Sequence, residues 1–162
     1  TAAILELDHG KMEVWAHDPA VHQRNALKEN FKRLHLETPH ILMNYSDKFN
    51  DTWDWALVDA PCSGLGTLGR KPEIRWKRSA ADLLRHQSRQ LKILSEWSPG
   101  VRKGGRILYS VCSLEPEESR DVIEAFLQQA PIGKWELEEV GELWPGAQGE
   151  DGFAWARLRR KS

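Results

Sequence analysis

The spacing of apolar residues changes repeatedly along the chain, and each change marks an element boundary. Ala2 to Leu7 reads as the end of a helix. Glu13 to His17 is a short strand with Val14 and Ala16 on one face. Asp18-Pro19 then predicts a helix start, with Asp at the cap and Pro at the first helical position. Leu27, Phe31 and Leu34 give that helix an apolar stripe. Pro39 ends it, and His40 to Met43 is a second strand. Asn44 to Thr52 is polar loop, and Trp53 to Val58 is a mostly apolar strand ending at Asp59. Residues 60–79 lose all helical period and contain two Pro and three Gly, a long irregular stretch of the kind that carries function. A helix follows over Ala80 to Trp97, with Leu84, Leu91 and Leu94 on one face. Pro99 to Gly105 reads as a turn, Arg106 to Ser110 as a strand, and Pro116 to Gln129 as a helix buried through Val122, Ile123, Phe126 and Leu127. Trp135 to Val140 and Phe153 to Leu158 are the last strands, separated by a loop at Gly146 to Gly152.

Strands alternating with helices of this length imply an α/β sheet with helices on both faces. Ligands on such sheets bind beyond the carboxyl ends of the strands. Asp18, Asn44, Asp59 and Ser110 all fall at predicted strand ends and are expected to converge on one sheet edge. Composition narrows the picture. The 162 residues suggest one domain spanning 1–162. With 40% apolar residues and eight Trp, there is material for a core. Twenty-three basic against twenty-four acidic residues exclude a strongly basic histone-like protein, though not a local basic patch. Two Cys cannot make a disulfide framework or a Cys-rich zinc site, and the scattered His show no metal-ligand spacing. No apolar run is long enough to span a bilayer, and a cytoplasmic protein with free thiols is expected.

The chemistry concentrates at two strand ends. Asp59-Ala60-Pro61-Cys62-Ser63-Gly64 follows one strand and holds an acid and a thiol three residues apart. Tyr109-Ser110-Val111-Cys112-Ser113 places the second thiol just past another. On their own the thiols read first as small buried apolar groups. Gly64-Leu65-Gly66-Thr67-Leu68-Gly69 matches a dinucleotide fingerprint, but Arg70-Lys71-Pro72 follows where a helix should open, so that reading fails. Arg70 to Arg78 carries five cations and Trp76. It is either a solvated loop or an RNA contact, with Arg70, Lys71 and Arg75 on phosphates and Trp76 stacking on a base. Asp18 is both a helix cap and an acceptor suited to ribose hydroxyls.

Taken together, these motifs, with Leu114 and Pro116-Glu117-Glu118, resemble the RNA cytosine-C5 methyltransferases, closest to the bacterial Sun-type ribosomal RNA enzymes. The loop from Arg70 to Trp76 and Asp151-Gly152-Phe153 also resemble segments of that family. The resemblance implies a Rossmann-like S-adenosylmethionine-dependent sheet and methyl transfer to C5 of a cytosine in RNA. It implies Cys112 as the thiol that attacks C6, Cys62 as the thiol needed for release, and Asp59 as a carboxyl near N3. It implies Asp18, Asn44 and Asp59 around S-adenosylmethionine, and ribosomal RNA as partner, with no metal and no membrane.

Two departures from the family pattern shape the expectations. The family's first, central strand and its Gly-rich cofactor loop precede the position matched by Thr1, so a truncated catalytic domain lacking both is expected. The third-strand Asp near the adenine is replaced here by Asn44-Tyr45-Ser46-Asp47, leaving Asn44 and Asp47 as alternatives. Ser119 stands where the family usually has Asn. A competing expectation is an RNA-contacting fragment that cannot bind cofactor alone. A Cys hydrolase ranks lower, because no His sits in a partner motif.

Overall fold

A computed structural model describes residues 2–8, 11–36, 39–43, 49–146 and 149–162. These residues form two compact units, 1–46 and 47–162. The first unit contains α1 (Ala2–Asp8), β1 (Trp15–His17), α2 (Val21–Arg33) and β2 (His40–Leu42). Strands β1 and β2 pair in parallel, with Ala16 opposite Ile41. Phe31 of α2 and Leu42 of β2 are buried, as the apolar stripe requires. One detail of the helix start differs from expectation. The cap position of α2 is Ala20, not Asp18. Asp18 instead turns the chain before the helix: its Oδ1 accepts the Ala20 N–H at 2.8 Å. Short Asp side chains favour this local bond over an extended approach.

The second unit contains β3 (Trp53–Asp59), α3 (Ala80–Trp97), β4 (Val101–Val111), α4 (Arg120–Gln129), β5 (Trp135–Leu143) and β6 (Phe153–Arg160). Its sheet order is β3-β4-β6-β5. β3 and β4 are parallel, while β6 runs antiparallel to both neighbours. Strand β4 starts earlier than its apolar run suggests. Val101 already pairs with Trp53, and the register then slips so that Trp55 lies opposite Arg106. The polar Arg102-Lys103-Gly104-Gly105 insertion obscures this in the sequence.

Alternation along the sheet sends Val58, Tyr109, Ala156 and Leu158 into one core with Leu94 of α3 and Val122, Ile123 and Phe126 of α4. Helix α3 begins where Ser79 and Asp82 form a reciprocal capping box, which satisfies two of its free N–H groups. The loop after β3 is not shapeless. It winds through short 3-10 turns at Leu65–Thr67 and Pro72–Trp76. The six strands of the described residues lie in two sheets. This arrangement sets the carboxyl ends of parallel β3 and β4 side by side, with Asp59 in register with Ser110.

Candidate active site

The two thiols are brought together because β3 and β4 are parallel neighbours and each is followed within three residues by a Cys. Cys62 Sγ and Cys112 Sγ lie 2.7 Å apart, part-buried and unbonded. One proton shared between two close sulfurs polarises the pair. The Cys62 S–H donates to Cys112, and this bond, then burial, then the Cys112 charge push the Cys62 thiol well above its ordinary range. The same bond, opposed by burial, brings Cys112 down to about 7. Cys112 is thus the sulfur that carries the charge near neutral pH. Asp59 follows the last core residue of β3 and is exposed. Its charge reaches the Cys112 sulfur, where it disfavours the thiolate.

The loops around the pair are stitched by backbone bonds. Gly66 N–H donates to the Cys112 carbonyl at 3.0 Å, and Gly152 N–H donates to the Gly66 carbonyl at 2.7 Å. A Cβ on Gly66 would overlap the Gly152 carbonyl, so only glycine admits this approach. Gly64 takes φ +78°, the left-handed turn that reverses the chain after Ser63. Beneath the thiols sits a group of polar residues that sequence reasoning passed over. Ser63, Ser113, Gln90 and Glu118 are all buried. The available signal was the repeated Cys-Ser pair, Cys62-Ser63 and Cys112-Ser113, after two successive parallel strands.

The basic loop divides. Arg70 is committed to Asp151: its Nε donates to Oδ1 at 2.9 Å and its Nη2 to Oδ2. This two-pronged pair ties the loop to the Gly152 turn, and it holds the Asp151 carboxyl below its usual range. Arg70 is therefore a brace here, not a free cation. Lys71 and Arg75 are exposed. Trp76 is 83% exposed, with the Arg75 guanidinium 5.6 Å from its ring centroid. Arg78 turns inward and donates to the Ser63 carbonyl at 2.9 Å. Asp18 belongs to the first unit, immediately after β1. Asn44 and Asp47 lie outside the described residues. No helix among the described residues is long and apolar enough to cross a membrane.

The α/β fold, with functional loops at the carboxyl ends of parallel strands, matches the class of S-adenosylmethionine-dependent methyltransferase structures. Within that class the chain belongs to the 16S rRNA methyltransferase RsmB/F family, whose model matches residues 1–159. It is 34% identical over 181 residues to a Bacillus subtilis (strain 168) protein described as "Probable ribosomal RNA small subunit methyltransferase B", covering 99% of this chain and 40% of that one. It is 33% identical over 174 residues to ribosomal RNA small subunit methyltransferase B of Salmonella newport (strain SL254), covering 99% of this chain and 39% of the relative. The chain thus spans about 40% of the length of the curated relatives it matches. Among solved structures, the crystal structure of PH0851 superposes with a TM-score of 0.88 at 27% identity, over 97% of this chain and 39% of that one. NSun6 from Pyrococcus horikoshii with SFG shares the fold, at a TM-score of 0.81 and 23% identity, over 99% of this chain and 44% of that one.

Proposed function

We propose that this chain carries the catalytic thiols of an enzyme that methylates C5 of a cytosine in RNA, most naturally ribosomal RNA, in the cytoplasm. The observation that carries the reading is the 2.7 Å approach of the Cys62 and Cys112 sulfurs at the ends of two parallel strands. Cytosine C5 is a poor nucleophile. A thiolate that bonds to C6 pushes the C5–C6 electron pair toward the ring and makes C5 reactive. Cys112 is that thiolate, since the Cys62 S–H stabilises its charge near neutral pH. Asp59 faces the N3 side of the ring, where charge accumulates during attack. S-adenosylmethionine supplies the methyl group when bound. Asp18, immediately after parallel β1, would offer a carboxylate to its ribose hydroxyls.

Release uses the second thiol. Once Cys112 is bonded to carbon it no longer carries charge, and two of the causes that raise the Cys62 thiol disappear. Cys62 then gives up its proton to solvent water more readily. The C5 proton passes to the resulting Cys62 thiolate, or to a water that it positions. The C5–H electrons re-form the C5–C6 double bond, the C6–sulfur bond breaks, and Cys112 leaves as thiolate. Lys71 and Arg75 contact phosphate, and Trp76 stacks on an unpaired base. The target cytosine must be unstacked to expose C6.

An RNA-contacting piece without activity of its own is the second reading, favoured by the fact that the chain spans about 40% of the length of the relatives it matches. The deciding experiment incubates RNA and S-adenosylmethionine with Cys62→Ala and Cys112→Ala, each made in this chain and in a version extended upstream. The Cys62 variant should accumulate a protein–RNA adduct that survives denaturing gels, and the Cys112 variant none. An adduct confined to the Cys112 variant reverses the assignment, and activity confined to the extended version supports the second reading for the shorter chain.

A further inference from the structure

Glu118 is the one carboxylate among the described residues that is fully buried, at 0% exposure, and it has no cation within ion-pair distance. A buried charge is tolerated only when hydrogen bonds replace its lost water. Three donors do so here. Ser63 N–H reaches Oε1 at 2.7 Å, the Ser63 hydroxyl reaches Oε2, and Gln90 Nε2 reaches Oε1 at 3.1 Å. Gln90 Nε2 also donates to the Pro61 carbonyl at 3.1 Å. The residues on both sides of Cys62 are therefore held by the same polar group.

Glu118 is also tied to the other thiol. The Tyr109 hydroxyl, three residues before Cys112 on β4, donates to the Glu118 carbonyl at 2.7 Å. The Glu118 N–H donates to Glu115, and the Glu115 N–H to the Ser113 hydroxyl oxygen at 3.3 Å. The Ser63 and Ser113 hydroxyls lie 3.4 Å apart. The backbone of Glu118 is thus fixed to the Cys112 loop, while its side chain grips the Cys62 loop.

We propose that Glu118 is a positioning residue of the two-thiol site: its buried carboxylate clamps Ser63 against the turn that follows Cys112 and so sets the separation of the two sulfurs. This rests on the thiol-pair reading, though not on the identity of the substrate. An apolar side chain in its place would leave the Ser63 N–H, the Ser63 hydroxyl and the Gln90 amide without this acceptor, and would not hold Cys62 through Ser63. The titratable groups acting on the Cys112 sulfur are Cys62, Asp59, Glu118 and Arg70. The Glu118 charge among them opposes the thiolate.

The test needs neither RNA nor cofactor. Glu118→Asp keeps the charge but withdraws the carboxylate by one carbon–carbon bond, about 1.5 Å. Ser63→Ala removes one donor and leaves the carboxylate in place. The readout is the rate at which diamide closes Cys62 and Cys112 into a disulfide, measured below the melting temperature of each variant. Loss of alignment between reacting groups should slow closure about tenfold or more in both variants. A third variant, Glu118→Gln, should lower the pH midpoint of Cys112 alkylation, whereas Glu118→Asp should not. Closure within twofold of the parent, with only a lower melting temperature, would show a purely structural residue and overturn the proposal. If Glu118→Asp does not fold, Ser63→Ala alone decides by the same criterion. The substrate reading fails separately: slowed closure in these variants with no RNA adduct in Cys62→Ala would retain the clamp and discard RNA methylation.

Discussion

Replacing Cys62 by Ala removes the S–H that donates to Cys112, the largest cause holding that thiol down at about 7. What remains is the Cys112 N–H, which favours the thiolate, against burial, Asp59 and Glu118, which oppose it. The midpoint should therefore climb back to at least the ordinary value near 9. At pH 7 a thiol with its midpoint at 7 is about half ionised, and one at 9 about 1%, a loss of about fiftyfold in thiolate. The more basic thiolate is also the better nucleophile, and at a Brønsted slope of about 0.45 two units of basicity restore about eightfold. The net expectation is a fall of about sixfold in the pH 7 rate toward an aromatic disulfide reagent. The upper plateau at high pH should be higher than the parent's. Stopped-flow profiles of parent and variant between about pH 5 and 10 measure both quantities. The parent should also release two equivalents of aromatic thiol, since Cys62 resolves the mixed disulfide, and the variant one. A variant profile that overlays the parent's would refute the shared-proton account. A parent midpoint near 9 would refute it equally.

The basic loop and the core each give a further expected outcome. Lys71→Gln with Arg75→Gln should reduce the salt slope of RNA binding by about 1.4 in a titration monitored by anisotropy, about 0.7 for each lost phosphate contact. Adding Arg70→Gln should leave the slope nearly unchanged, because Asp151 already occupies that guanidinium. Phe126→Ala should cost about 3–5 kcal/mol in denaturant unfolding, since the ring is 3% exposed and packs 5.6 Å from Trp135 across the α4–β5 contact.

Much of the architecture was written in local pattern. The period of Leu91 and Leu94 was enough to mark α3, although Leu84, expected on the same face, is exposed, and the Ser79–Asp82 capping box that starts the helix went unread. The Asp-Ala-Pro-Cys and Tyr-Ser-Val-Cys motifs pointed to thiols at strand ends, since the residues just past a strand mark its end. The start of β4 was not legible, because Arg102 to Gly105 look like turn residues and their strand state depends on pairing across to β3. The helix start after Asp18 was misplaced by two residues, since Asp satisfies a turn and a cap by the same local bond.

The pairing of the two thiols is of another kind. Each motif holds one Cys, and nothing within either motif says how close the two sulfurs come. What only the fold decides is the 2.7 Å approach of the two sulfurs, fifty positions apart, which exists because β3 and β4 lie side by side in parallel. The commitment of Arg70 to Asp151 and the burial of Glu118 beneath both loops arise the same way. A charge in a sequence reads as a solvated residue by default, and only the folded chain decides which charges meet a partner and lose their water.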